Sequence, residues 1–309
     1  MLISGGENLA TILTFGQRIV VSKLDVTKKG INIKEHFILA DESELLKNYL
    51  GNQDTISDYL TVITKKFSID KQVYICLAYG SGVQYRTSRV GIDTINEITD
   101  NKKMKPADKE AHILEICRSN LPEGLEKLHS EWRSCIIDCH ECDRDYVISG
   151  SYIPEEYYKN IMTACKSFGL TVLCMSSLAG GLYSLVDPED KQLIIRIMTG
   201  YLAINMFGMV CWPYPAGNQA TREDILVNLS NISERLFPID SSKMNVFIEN
   251  GQIGNYSKIP IMSDFPPDTE LLAACGIALA NNQSAYKAPQ ITKERKKYNV
   301  TDKLRKLFK

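Results

Sequence analysis

The chain has 309 residues, 44% of them apolar and 24% charged, and a formal net charge of −1. That length predicts about two domains with cores of their own, and the composition excludes a disordered polar chain, a collagen-like repeat and a small disulfide scaffold. The near-zero total also argues against a wholesale nucleic-acid binder, which carries a clear basic excess.

The first stretch reads as a meander. Residues 10–15 are apolar, Gly16-Gln17 turns, and residues 18–25 alternate with β-branched side chains. Residues 27–30 turn again, and residues 31–39 form a third alternating run. Two helical patterns follow, 43–49 and 55–67, the second with Ile56, Leu60 and Ile63 on one face. Residues 72–79 have the pattern of a buried strand, closed by Gly80-Ser81-Gly82. The order is β-β-β-α-β.

Residues 93–181 read as a β-rich insertion. A helix is predicted over 106–120, then two alternating runs, 132–137 and 146–153, about a polar turn. A second helix over 154–167 has Pro154 at its start, Glu155 and Glu156 in its first turn and Gly169 beyond its end. Residues 171–175 form a short strand.

The opening order then recurs. Residues 192–198 and 201–207 flank the turn Thr199-Gly200, and Gly208 precedes a third run at 209–212. Residues 221–236 carry an apolar stripe of Ile225, Leu226, Leu229, Ile232 and Leu236, and 245–248 form a strand ending at Asn250-Gly251. A last helix, 271–280, places small residues around Gly276. An element order repeated without sequence identity implies a duplication, with two similar α/β halves facing a cleft.

The nine cysteines, an odd number placed inside apolar runs, fit reduced thiols in a cytosol better than a disulfide framework. The start lacks a secretory n-region and apolar stretch. The most apolar span, 193–212, contains Arg196, Asn205 and the Thr199-Gly200 turn, so it reads as two strands and not as a membrane span. A cytoplasmic chain is expected.

Candidate chemistry is sparse. Cys135, Cys139, His140 and Cys142 are the densest set of metal-ligand types, but zinc wants two close pairs well separated in sequence. The four read as hairpin cysteines with an exposed histidine, and no metal is expected. His36, His112 and His129 stand in different segments with no evident partner, so no catalytic histidine is expected. Phosphate-loop and nucleophile-elbow patterns are missing from the sequence.

The end of the chain differs from the rest. Residues 287–309 carry a net +7, leaving −8 on the remainder. Val300, Leu304, Leu307 and Phe308 share one helical face, edged by Lys303, Arg305, Lys306 and Lys309. Such a stripe suits a helix lying in a membrane surface, with each cation adding on the order of 1 kcal/mol near anionic lipid. Docking to a protein partner and a solvated tail with no role are the alternatives.

The duplicated halves with an insertion after the first resemble the actin-like ATPase superfamily, and within it the PilM and FtsA branch. Residues 83–88 with Arg86, 113–124 with Leu121-Pro122, 169–181 and 273–280 each resemble a segment of the PilM-like type IV pilus assembly proteins. The resemblance covers residues 8–285. It implies an α/β actin-like fold of RNase H-like β-β-β-α-β-α halves. The first subdomain would be 1–91, completed by 168–190, with an inserted α+β subdomain at 92–167, a second subdomain at 191–286 and the basic tail beyond. By the same resemblance, the chain would bind the cytoplasmic segment of a bitopic PilN-like protein on a pilus or type II secretion platform, with the degenerate cytoplasmic domain of GspL as a close analogue. Its place would be the inner face of the cell membrane, with no nucleic-acid partner.

The departures from that family bear on activity. Its first phosphate loop begins Asp-Ile-Gly, whereas this chain has Thr14, Phe15, Gly16, Gln17 and Arg18. Its second loop is again Asp-Ile-Gly, against Arg196, Ile197, Met198, Thr199 and Gly200 here. The adenosine glycines are reduced to Gly251 and Gly254. Magnesium-assisted phosphoryl transfer needs carboxylates at both loops, and both are missing. The expectation is a vestigial cleft lined by Thr14, Gly16, Gln17, Thr199, Gly200, Gly251 and Gly254, with no enzyme activity and no cofactor. An active ATP- and magnesium-binding protein, or an FtsA-like membrane tether, is the alternative.

Overall fold

The structure is a computed structural model. It describes residues 9–41, 43–46, 48–78, 81–118, 132–142, 145–188, 191–197, 200–205, 208–213, 221–236, 245–248, 250–264 and 267–281. The chain divides into two compact units. Unit 1 gathers three stretches, 1–83, 153–187 and 249–289, and unit 2 holds the remainder.

Unit 1 is built on a six-stranded sheet. Strands β1 (Leu9–Phe15), β2 (Ile19–Thr27) and β3 (Gly30–Ala40) form the expected meander, and β4 (Gln72–Leu77) joins β1 in parallel. The full order is β13-β3-β2-β1-β4-β8, with β8 (Thr171–Ser177) parallel to β4 and the short β13 (Ile261–Met262) parallel to β3. Helix α1 (Gln53–Lys66) starts where the Asn52 side chain accepts from the amides of Asp54 and Thr55, and it ends on Lys65 and Lys66 beside its carbonyl pole. Its buried stripe is the predicted one, Ile56, Leu60 and Ile63. These side chains share a core with Leu13, Phe15, Val21 and Ile75 of the sheet, and with Ile161, Ala164 and Cys165 of α4 (Glu155–Ser167).

Two helices lie outside that core. Helix α5 (Leu178–Leu185) begins at Ser177, whose hydroxyl accepts from the Gly180 amide, and it packs against α7 (Thr269–Asn281). The contact is backbone to backbone: a Cβ on Gly276 would collide with the Gly181 carbonyl. Glycine at both positions is what lets the two helices approach so closely. Helix α7 also packs on β1, β2 and β4, on the strand face that Ile12, Thr14 and Ser22 share by alternation.

Unit 2 contains two sheets. Strands β9 (Gln192–Ile197), β10 (Gly200–Asn205), β11 (Gly208–Pro213) and β12 (Asn245–Ile248) run in the order β11-β10-β9-β12, the first three antiparallel and the last parallel to β9. This repeats the β3-β2-β1-β4 arrangement of unit 1. The second sheet, β5-β7-β6, is formed by β5 (Gln84–Gly91), β6 (Trp132–Cys142) and β7 (Asp145–Pro154). Helices α2 (Ile92–Asp100) and α3 (Pro106–Arg118) follow β5. Val147 of β7 packs with Ile194, Tyr201, Ala203 and Val210 of the larger sheet and with Ile225 and Leu229 of α6 (Arg222–Leu236), and the Ser149 hydroxyl donates to the Met209 carbonyl at 2.7 Å.

One local expectation changes. Residues 43–49 do not form a helix: the chain turns, Asn48 takes φ 57°, and a single 3-10 turn, Tyr49–Gly51, follows. A left-handed residue interrupts a helix there. Ala179, Gly180 and Gly181 lie inside α5. Burial of every one of Leu178 to Leu182 holds the glycines helical against their low propensity.

Candidate functional site

The β1–β2 turn carries Gly16 and Gln17, two of the residues expected from the sequence to line a vestigial cleft. The chain hydrogen-bonds across it from the Gly16 amide to the Arg18 carbonyl, at 3.1 Å. Phe15 offers its carbonyl to the Ala78 amide at 2.8 Å, which fixes the end of β1 against the chain leaving β4. The Gly16 carbonyl accepts from the buried Tyr49 hydroxyl at 3.0 Å, and burial pushes that phenol well above its ordinary range. The turn is therefore held from two sides by the protein itself.

Thr14 has no exposure to solvent. Its register partner is Cys76, whose thiol burial pushes up to about 12, with the Thr14 hydroxyl acting in the opposite direction. An uncharged side chain suits this position, because a carboxylate there would be costly without a cation. The side chains of residues 14–18 offer no carboxylate to a magnesium ion. The set does not fit metal-bound nucleotide at this turn, and no reaction step follows from it.

Arg18 points its guanidinium at the start of α7. One nitrogen, Nη2, donates to Asp268 Oδ2 at 2.6 Å and forms an ion pair with Glu270. Asp268 caps α7 with its other oxygen, accepting from the Leu271 amide at 2.8 Å. His36 Nε2 of β3 stands 3.6 Å from Asp268 Oδ2, and its Nδ1 shares a 3.0 Å hydrogen bond with Ser22 of β2. Burial pushes the Asp268 carboxyl up, but the His36 and Leu271 hydrogen bonds and the Arg18 charge outweigh it and hold it at about 2.

His36 thus has the partners that its sequence position did not reveal. The regular pairing about the β2–β3 turn sets Ser22 opposite Glu35. An irregularity between Lys23 and Leu24 shifts it to His36. Ser22, His36 and Asp268 stand in the order of a hydrolytic triad. Ser22 has no exposure to solvent, however, so its hydroxyl is closed to a substrate.

The remaining predicted positions fall in several places. Gly254 lies in the 3-10 helix Asn250–Tyr256 of unit 1, where a Cβ would touch Leu272 of α7, and Gly251 is in the same helix. Gly200 begins β10 of unit 2, opposite Ile197, and Thr199 lies outside the described residues. Cys135, Cys139, His140 and Cys142 are carried by β6, with side chains outside those described. Lys303, Leu304, Arg305, Lys306, Leu307 and Phe308 also lie outside the described residues. Among the described residues, no group of three or more histidine, cysteine or carboxylate side chains is placed to hold a metal, and no helix is long and apolar enough to cross a membrane.

Two sheets that each run three antiparallel strands and then a parallel fourth beside the first define an α/β protein of the actin-like fold class, with an additional three-stranded sheet. Among solved structures the chain is similar to the cytoplasmic domain of EpsL, an inner membrane component of the type II secretion system of Vibrio cholerae. The identity is 8%, covering 87% of this chain and 93% of that one, with a TM-score of 0.41. It is also similar to a Bacteroides thetaiotaomicron protein with an actin-like ATPase fold and unknown function. Here the identity is 10%, covering 89% and 98% of the two chains, with a TM-score of 0.43. No protein-family model matches the chain, and no curated protein matches it. The fold assignment rests on strand order and register.

Proposed function

We propose that this chain is a non-catalytic scaffold on the cytoplasmic side of an inner-membrane assembly platform, of the pilus or type II secretion kind. It would bind the cytoplasmic segment of a bitopic PilN-like protein. The observation that carries the non-catalytic half is the β1–β2 turn, where Thr14 is buried and Arg18 is engaged by the chain's own Asp268 and Glu270. A phosphoryl-transfer site needs charge and amides left open to its ligand. The partner half is supported by the resemblance of residues 8–285 to PilM-like proteins and by the basic end of the chain, which suits an anionic membrane surface.

A pull-down of the full chain with the N-terminal segment of a bitopic PilN-like protein encoded beside it tests the partner. Retention at micromolar concentration, lost when that segment is deleted, is the expected outcome. No retention at high micromolar concentration counts against the scaffold.

A second reading, a protein that still takes a polar ligand at this turn, is favoured by one observation. Gln17 Oε1, Ser81 Oγ and Thr269 Oγ1 are buried atoms with no hydrogen-bond partner among the described residues, and such atoms ordinarily have one.

A further inference from the structure

We infer that Arg18 is a built-in cation latch. A single guanidinium nitrogen, gripped by two carboxylates at the start of α7, fastens the first stretch of unit 1 to the last and does from within the chain what a bound cation would do. This goes beyond the scaffold reading and does not depend on it.

Three features of the geometry carry the inference. The first is convergence: Asp268 Oδ2 and the Glu270 carboxylate meet the same nitrogen, Nη2 of Arg18. Two carboxylates this close repel each other unless a positive charge stands between them. Glu270 is only 9% exposed, so solvent does not do that work.

The second is fixation. Asp268 is committed to capping α7 through the Leu271 amide, and α7 is locked by the backbone contact of Gly276 with Gly181. On the other side, His36 is tied to Ser22 at 3.0 Å and faces Asp268 at 3.6 Å. The Asp268 carboxylate is therefore held in place and does not swing away if the cation is removed.

The third is topology. Arg18 and Asp268 are 250 residues apart in the sequence, and between them the chain leaves unit 1 twice, for 84–152 and for 188–248. A contact that closes so long an excursion joins stretches that local structure cannot hold together.

A charge swap in the full chain tests the latch. Arg18→Glu is expected to lower the melting temperature and to speed amide exchange at Leu271 and Leu272 by about tenfold or more, while Arg18→Glu with Glu270→Arg restores most of both. Unchanged exchange in Arg18→Glu, or a double variant as impaired as the two single variants added together, overturns the latch. If Arg18→Glu does not fold, Arg18→Ala is compared with Arg18→Ala/Glu270→Gln. The latch requires the double variant to melt higher than the single, because it no longer buries an unpaired carboxylate. A double variant that melts no higher overturns it. Adding ATP and magnesium to the same samples bears on the scaffold reading alone, so the two ideas can fail separately.

Discussion

Asp268 is at once a helix cap, the partner of Arg18 and the neighbour of His36, and its acidity reflects all three. The folded carboxyl sits at about 2, below its ordinary 3.8. A carboxylate depressed on folding contributes stability that is fully present above the unfolded value and is lost as pH falls toward the folded one. Urea unfolding from about pH 4 to about pH 2 should therefore show the wild-type midpoint falling steeply, while Asp268→Asn, which keeps an acceptor for the cap but no charge, falls less. Equal slopes would show that the charge of Asp268 contributes nothing. None of this was legible in the sequence. In the sequence Arg18 stands out only as a departure from a phosphate loop and His36 only as an isolated histidine, because a pairing over 250 residues leaves no local periodicity. The signal that existed was the helix start itself: Asp268, then Glu270 in the first turn of an apolar helix, is the pattern of a cap that can also take a cation.

At the scale of elements, the meander of β1 to β3, the stripe of α1 and the three runs of β9 to β11 were readable because α1 repeats its buried side chains at helical spacing, while strands such as β1 and β10 are short runs between turns that are buried on both faces. What escaped was structure made by burial alone. Helix α5 is glycine-rich and short, and its helical state depends on α7, which lies outside its own sequence window. The two-residue β13 is too short to carry any alternation. The α5–α7 contact gives a sharp expectation. Gly276→Val drives a branched side chain into the Gly181 carbonyl, with Leu185 close behind it. Overpacking of this kind costs about 1–3 kcal/mol and more where backbone must move, so a loss at or above about 3 kcal/mol is expected in urea unfolding. A cost under about 1 kcal/mol would mean that the two helices slide freely past each other. The same substitution at Gly169, where a Cβ meets nothing within 4 Å, is a poor control because φ there is +70°.

For the whole molecule, the net charge of −1 conceals a body at −8 and an end at +7. The total therefore hides a basic segment suited to anionic partners. The repeated strand order was visible in the sequence and recurs as two sheets of the same plan. We propose that the first of these sheets presents a turn closed by its own side chains and takes no nucleotide. The direct measurement is the melting temperature of the full chain with and without millimolar ATP and magnesium. A ligand that binds the folded state at about 100 times its dissociation constant adds about 2.7 kcal/mol, a shift of several degrees. No shift is expected, and a rise of several degrees on adding ATP and magnesium would show that the folded chain binds the nucleotide.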